Sequence, residues 1–161
     1  ARGKSPIAHV LGYARRSESS AATLEPTGHA VRNAIDYALA SADLTRNDVG
    51  HVNAHGDSTV VNDRVEAGAI ADRLGDVPVT APKSYFGNLG AGSGAVELVV
   101  SLAGLHRGVI PPTLNYEEPD PECPVNVITR SEPTNNRNVL ALNHRATGQA
   151  VALVVEVHQD A

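Results

Sequence analysis

Stretches whose apolar residues recur every three or four positions alternate along this chain with short runs rich in β-branched residues. That alternation limits the fold more than any other feature, because strands separated by helix-length segments form a sheet with helices packed on its faces. From Glu25 to Ala42 the residues Ala30, Val31, Ala34, Ile35, Ala38, Leu39 and Ala42 make one helical face, with Pro26 allowed in the first turn. A second helix, capped by Asn62 or Asp63, presents Val65, Ala69, Ile70 and Leu74 and stops at Gly75. A third runs from Gly94 to His106, is closed by Gly108, and is kept from continuing by Pro111-Pro112. Strands are expected at 7–14, 49–53, 77–81, 125–128, 139–143 and 151–157, with a proline-rich, acidic loop over 113–124. The order β-α-β-α-β-α-β-β-β predicts an α/β fold, a mixed sheet with helices packed on it.

With 161 residues the chain is long enough for one packed domain. Thirteen Lys and Arg against eighteen Asp and Glu leave a net charge of -5, which argues against a phosphate-backbone surface and so against nucleic acid as a partner. No apolar run is long enough to span a bilayer, and the opening Ala-Arg-Gly-Lys lacks the apolar core of a signal peptide. No membrane partner is expected. The single cysteine, Cys123, rules out an internal disulfide and fits a reducing, cytoplasmic compartment. Methionine is absent even at the start, so the chain is expected to be a piece of something longer.

Several motifs invite a chemical reading. His51 and His55 are four apart, a spacing that suits two metal ligands on a helix, but Val52-Asn53-Ala54 between them is strand-like and no Glu follows His51. No metal site is expected. The cluster Gly90-Ala91-Gly92-Ser93-Gly94-Ala95 fits G-x-G-x-x-A, yet the preceding strand ends near Ala81, too early for a dinucleotide turn. Its glycines read instead as a close backbone approach that opens a helix. Cys123 sits between Glu122 and Pro124 in the acidic loop, where negative charge raises a thiol pKa, so it is a poor nucleophile.

The segment Val52-Asn53-Ala54-His55-Gly56-Asp57-Ser58-Thr59, followed by Asn62-Asp63 and Glu66, resembles the histidine motif V-N-A-H-G-T-S-T of β-ketoacyl-acyl-carrier-protein synthases. Lys83-Ser84-Tyr85-Phe86-Gly87-Asn88, running through Gly94-Ala95-Val96-Glu97 to Ile110-Pro111-Pro112-Thr113-Leu114-Asn115, looks like the same family's lysine region and its I-P-P-T-x-N loop. The resemblance covers roughly residues 5 to 157 and points to the C-terminal half of an elongating ketosynthase of the thiolase superfamily, one half of an αβαβα layered fold. It implies a 3-oxoacyl-[acyl-carrier-protein] synthase of fatty acid or polyketide synthesis, which joins an acyl group on a cysteine to the enolate left by malonyl decarboxylation. On that resemblance His55 is a neutral donor to the thioester oxygen, Lys83 and Glu97 are a charge pair beneath it, and Thr59 contacts the pantetheine arm. No cofactor is implied, since the substrates ride on the phosphopantetheine of acyl carrier protein. The implied partners are that carrier, the N-terminal half that holds the nucleophilic cysteine, and a second subunit in a homodimer or ketosynthase-like heterodimer. Residues 1–161 alone are expected to be inactive.

Three positions depart from the family pattern. Asn88 stands where the second catalytic histidine is usual, keeping an N–H donor but no transferable proton. Asp57 replaces a threonine beside His55, where its charge should raise the histidine pKa and repel an enolate. The stretch Leu142-Asn143-His144-Arg145-Ala146-Thr147-Gly148-Gln149-Ala150 replaces a glycine-rich gating loop, of which Gly148 survives. The departures leave a second reading open: a catalytically silent, chain-length-factor-like partner subunit.

Overall fold

The computed structural model describes residues 5–19 and 26–158. Strands β1 (Ala8–Ser17), β2 (His51–Asn53), β3 (Pro78–Thr80), β5 (Asn126–Val127), β7 (Asn138–Arg145) and β8 (Gln149–Val157) form one six-stranded sheet in the order β1-β8-β7-β2-β3-β5. β1, β8 and β7 pair antiparallel, while β7, β2, β3 and β5 run parallel, so the sheet is mixed as the sequence predicts. Two short strands absent from the sequence reading, β4 (Val109–Ile110) and β6 (Glu132–Pro133), pair antiparallel beside it. Two residues per strand carry too little pattern for periodicity to reveal.

Helices α1 (His29–Ser41) and α2 (Val60–Leu74) cover one face of the sheet, and α4 (Ser93–His106) lies on the other. Alternation along the central strands makes this possible: Leu140, Leu142 and Val154 point into the α1/α2 core, whereas Val139, Val155 and Val157 meet Leu105 of α4. The core on the first side is built from alanines and valines, with Ala34, Ile35 and Ala38 of α1 fully buried. Small side chains let the helix lie close to the sheet. Among the described residues no helix is long and apolar enough to cross a membrane.

Two helix starts differ from expectation. The predicted first residue of α1, Glu25, lies outside the described residues, and Pro26 is not helical: α1 begins at His29 after Gly28 in a left-handed conformation. Glu18, at the end of β1, explains the later start. Its carboxylate accepts the N–H groups of Thr27 at 2.6 Å and Ala30 at 2.9 Å, a cap supplied from outside the helix that helical spacing cannot show. The second helix begins at Val60 behind Thr59, not behind Asn62 or Asp63; Asp63 instead accepts the N–H of Asp57 at 3.0 Å and braces the preceding loop.

Candidate active site

The parallel strands β2 and β3 end side by side, and the chain leaving each carries one half of a polar cluster. Beyond β2, residues 54–58 turn toward α2, whose buried Glu66 reaches back: its carboxylate accepts the N–H groups of His55 at 2.8 Å and Gly56 at 2.9 Å. That grip fixes the backbone on which the His55 ring stands. Beyond β3 comes the one-turn helix α3 (Lys83–Phe86), not anticipated from the sequence, which points Lys83 under the same ring. Its ammonium meets Oε1 of Glu97 at 2.7 Å, the carbonyl of His55 at 2.6 Å and Nδ1 of His55 at 2.9 Å.

Those three contacts use all three ammonium hydrogens. Nδ1 of His55 is therefore an acceptor, and the network assigns the ring proton to Nε2, on the side of the ring away from Lys83. Burial lowers the pKa of His55, the Lys83 charge lowers it further, and the pull of Glu66 and Asp57 in the other direction does not make up the difference. The expected rise caused by Asp57 is thus overturned: the carboxylate acts in the anticipated direction but is outweighed by burial and by a cation at 2.9 Å. His55 is a neutral N–H donor at neutral pH.

Glu97 is held from the other side of the sheet. It is 1% exposed on α4, with Lys83 7% exposed opposite it, and its own carbonyl accepts the side-chain amide of Asn53 at 2.7 Å. The same amide reaches Ser101 at 2.9 Å, and Nε2 of His51 lies 3.1 Å from that hydroxyl. His51 therefore lies within β2, while His55 stands in the chain beyond its end. His51 belongs to the seam between β2 and α4, and among the described residues no group of three His, Cys, Asp or Glu side chains is arranged to hold a metal ion.

Asn88 and Asp57, two of the three departures, turn out to be partners. The Asn88 amide donates to Oδ1 of Asp57 at 3.2 Å, and its carbonyl accepts the N–H of Gly90 at 2.8 Å. The same Asp57 oxygen lies 3.8 Å from Nε2 of His55. One N–H donor thus holds a carboxylate oxygen that stands just beyond hydrogen-bond reach of the His55 ring. Asp57 and Asn88 also divide two cavities, one of about 550 Å³ lined by His55, His144 and Arg145, the other of about 600 Å³ lined by Thr59, Ile70, Val79 and Leu114. Thr59 is accordingly exposed at the mouth of α2, on the far side of Asp57 from His55.

The glycine cluster opens α4, as its spacing suggests, with a 3-10 turn over Gly90–Gly92 leading into Ser93, but the expected close backbone approach is not found: a Cβ on Gly90 or Gly92 would meet open space, and one on Gly94 would stand 2.9 Å from the Asn143 side chain. Between β7 and β8 the chain makes a tight turn closed by Gly148, with φ of 82° and its carbonyl accepting the N–H of Glu18 at 2.8 Å. Cys123 is half-buried, and burial together with Asp120 and Asp63 pushes its thiol pKa up, in keeping with a poor nucleophile.

One site residue escaped the sequence reading. His144 is 6% exposed, its Nε2 lies 3.7 Å from Oε2 of Glu66, and its ring packs edge-on against His55 with centroids 5.0 Å apart. The signal was present, since a period of two through Leu140 and Leu142 puts His144 on the buried face. Ending the strand at Asn143, two residues short of Arg145, left that histidine in a loop.

A family model of the β-ketoacyl synthase C-terminal domain matches residues 7–117. The chain is 42% identical over 132 residues to the tetracenomycin polyketide synthase ketoacyl synthase alpha subunit of Streptomyces glaucescens, covering 79% of this chain and 31% of that protein. It is 36% identical over 133 residues to 3-oxoacyl-[acyl-carrier-protein] synthase 2 of a Synechocystis species, covering 80% and 32%. Among solved structures, the ishigamide ketosynthase/chain length factor superposes with a TM-score of 0.89 at 30% identity, over 98% of this chain and 40% of that one. The chain therefore belongs to the β-ketoacyl synthase family and has the fold of the C-terminal, thiolase-like half; it spans about a third of the length of the curated relatives it matches.

Proposed function

We propose that these residues form the C-terminal half of a 3-oxoacyl-[acyl-carrier-protein] synthase, in which His55 and Asn88 hold the thioester oxygen while malonyl decarboxylation generates an enolate. The observation that carries this reading is the position of one Asp57 oxygen, hydrogen-bonded to the Asn88 amide at 3.2 Å and 3.8 Å from Nε2 of His55. A carboxylate oxygen there stands in for the partly negative oxygen of an enolate, and donors fixed at such a point contribute about 3 kcal/mol each in a dry site. Lys83 and Glu97 position the ring from beneath. Thr59 is assigned the contact with the pantetheine arm, a role supported by its place on the cavity that Asp57 and Asn88 border. The nucleophilic cysteine belongs to an N-terminal half outside these residues, and acyl carrier protein brings both substrates, so no further cofactor is needed. The proposed setting is the cytoplasm, where a lone thiol such as Cys123 stays reduced.

In the full-length protein, His55→Ala should lower the condensation rate by at least about 10²-fold, the usual cost of one oxyanion donor. An unchanged rate would remove His55 from the chemistry and with it this reading.

A second reading, a silent partner subunit resembling a chain length factor, draws support from the same Asp57 oxygen, because a carboxylate parked beside the donors competes with substrate. Intact-mass analysis of the full-length protein after incubation with an acyl-loaded carrier separates the two. A covalent acyl adduct that is discharged by malonyl-carrier supports the enzyme; a protein that stays unmodified beside an acylated active ketosynthase supports the silent partner.

A further inference from the structure

The proposed condensation leaves one imidazole of the site unused. His144 stands on β7, almost fully buried, with its ring edge-on to His55 at 5.0 Å and its Nε2 3.7 Å from Glu66. It lines the same cavity of about 550 Å³ as His55 and Asn88. Glu66 and Asp63 face it from α2, and Asp57 and His55 from the loop after β2, with Lys83 behind His55. Arg15 of β1 and Arg145 line the cavity farther out. Burial pushes the His144 pKa down, but the Glu66 carboxylate 3.7 Å away, helped by Asp57 and Asp63, outweighs it and leaves the pKa raised, while burial and Lys83 lower that of His55. Two imidazoles in contact, driven in opposite directions by a carboxylate and an ammonium, are the arrangement that assigns separate acid and neutral-donor roles within one site.

We infer that His144, held by Glu66, is the proton donor of this site and delivers its proton to the sulfur of the departing carrier. The inference rests on the condensing reading above. When the upstream cysteine thiolate attacks the acyl thioester, a sulfur–carbon bond forms, the carbon–sulfur bond to the carrier breaks, and the carrier leaves as a thiolate that needs one proton. Loss of carbon dioxide from the malonyl group consumes no proton, and attack of the enolate on the acyl-cysteine returns the cysteine as thiolate. One proton is therefore taken up per turnover. His55, neutral and tied to Lys83 through Nδ1, acts as a hydrogen-bond donor, and Asn88 has no proton to give. A charged His144 supplies one and is recharged from water.

The test follows acyl loading and malonyl decarboxylation separately, against pH, in the full-length protein. Wild-type loading should be fast at low pH and fall as pH rises through the His144 pKa, whereas decarboxylation, which needs no proton, should lack that limb. His144→Gln should slow loading by about 10²-fold or more, the usual contribution of a general acid, and flatten the limb while decarboxylation persists. Glu66→Gln, which keeps the imidazole but removes its carboxylate, should move the limb to lower pH. A merely structural His144 would slow both steps alike and leave the limb in place. A wild-type loading profile without an alkaline limb overturns the inference even if His144→Gln does not fold. If the wild-type protein neither loads nor decarboxylates, the condensing reading fails and this inference goes with it; normal wild-type catalysis with an unaltered His144→Gln profile sinks the inference alone.

Discussion

The floor and the rim of this site are built on different terms. Beneath His55, Lys83 and Glu97 are 7% and 1% exposed and 2.7 Å apart, and Glu66 grips two backbone N–H groups from within the core. Above His55, Asp57 is half-buried, Asn88 is exposed, and their one direct hydrogen bond is 3.2 Å long. Lys83, Glu97 and Glu66 match the family motif, whereas the two rim residues are departures from it. A buried ion pair tolerates no single change, because either partner left alone is an uncompensated charge in a dry place. A half-solvated contact tolerates many. Two of the three departures, Asp57 and Asn88, therefore fall where substitution is cheap in stability, while the third brings the buried His144 against His55.

The sharpest way to break that comparison is to remove one floor charge. Lys83→Met leaves Glu97 buried without its cation and should cost roughly 3–5 kcal/mol of stability, the range for breaking a buried pair. Denaturant unfolding of the full-length protein measures it. Pairing the change with Glu97→Leu should recover most of the loss, since replacing both charges by apolar groups is often close to neutral. Asp57→Ala at the rim should cost under about 1 kcal/mol. Equal losses for Lys83→Met and Asp57→Ala would show that the floor is no more constrained than the rim.

Histidines behind and beside the floor sharpen it further through pH. Burial pushes the pKa of His51 down to about 4 from 6.5. A depressed histidine is charged more readily in the unfolded chain, so its contribution is intact above pH 6.5 and is lost as pH falls toward 4, on the order of 3 kcal/mol over that window. His144 has the opposite sign, because its pKa is raised: its contribution is full below 6.5 and fades as pH climbs through the folded value. His51→Gln should shrink the acid-side loss and leave the alkaline side alone. An acid-side slope unchanged by His51→Gln would mean that His51 is hydrated and outside the seam with Ser101.

Most of this arrangement was legible in the sequence, and the remainder was hidden for identifiable reasons. The apolar stripe of α1 and the β-branched runs of β7 and β8 declare themselves by period, and the order of elements then leaves few topologies for a mixed sheet. The start of α1 was hidden because Glu18, just past the end of β1, supplies the cap. His144 was hidden by a strand end drawn two residues early. The sign of the His55 shift was missed because sequence adjacency shows Asp57 at once but neither the burial of the ring nor Lys83, which is 28 residues away in the chain and 2.9 Å away in space. Nor could spacing reveal that Asp57 and Asn88 face each other across the site, so that two departures are one interaction.

That interaction gives the smallest and most discriminating effect. Asp57→Asn keeps a carbonyl oxygen to accept the Asn88 amide but removes the charge beside Nε2 of His55. Since Asp57 raises the His55 pKa, its neutralisation should lower that pKa further, as read from the imidazole resonance of the full-length protein during titration. A half-exposed charge of this kind is worth about 1 kcal/mol or less, so condensation should rise by less than about tenfold as repulsion of the enolate is relieved. The direction of that change separates two accounts of the rim. A modest gain means the carboxylate only competes with substrate at a working oxyanion site. A collapse of the rate would mean that Asp57 takes part in the chemistry, and that the rim, though loosely held, was remade for a purpose of its own.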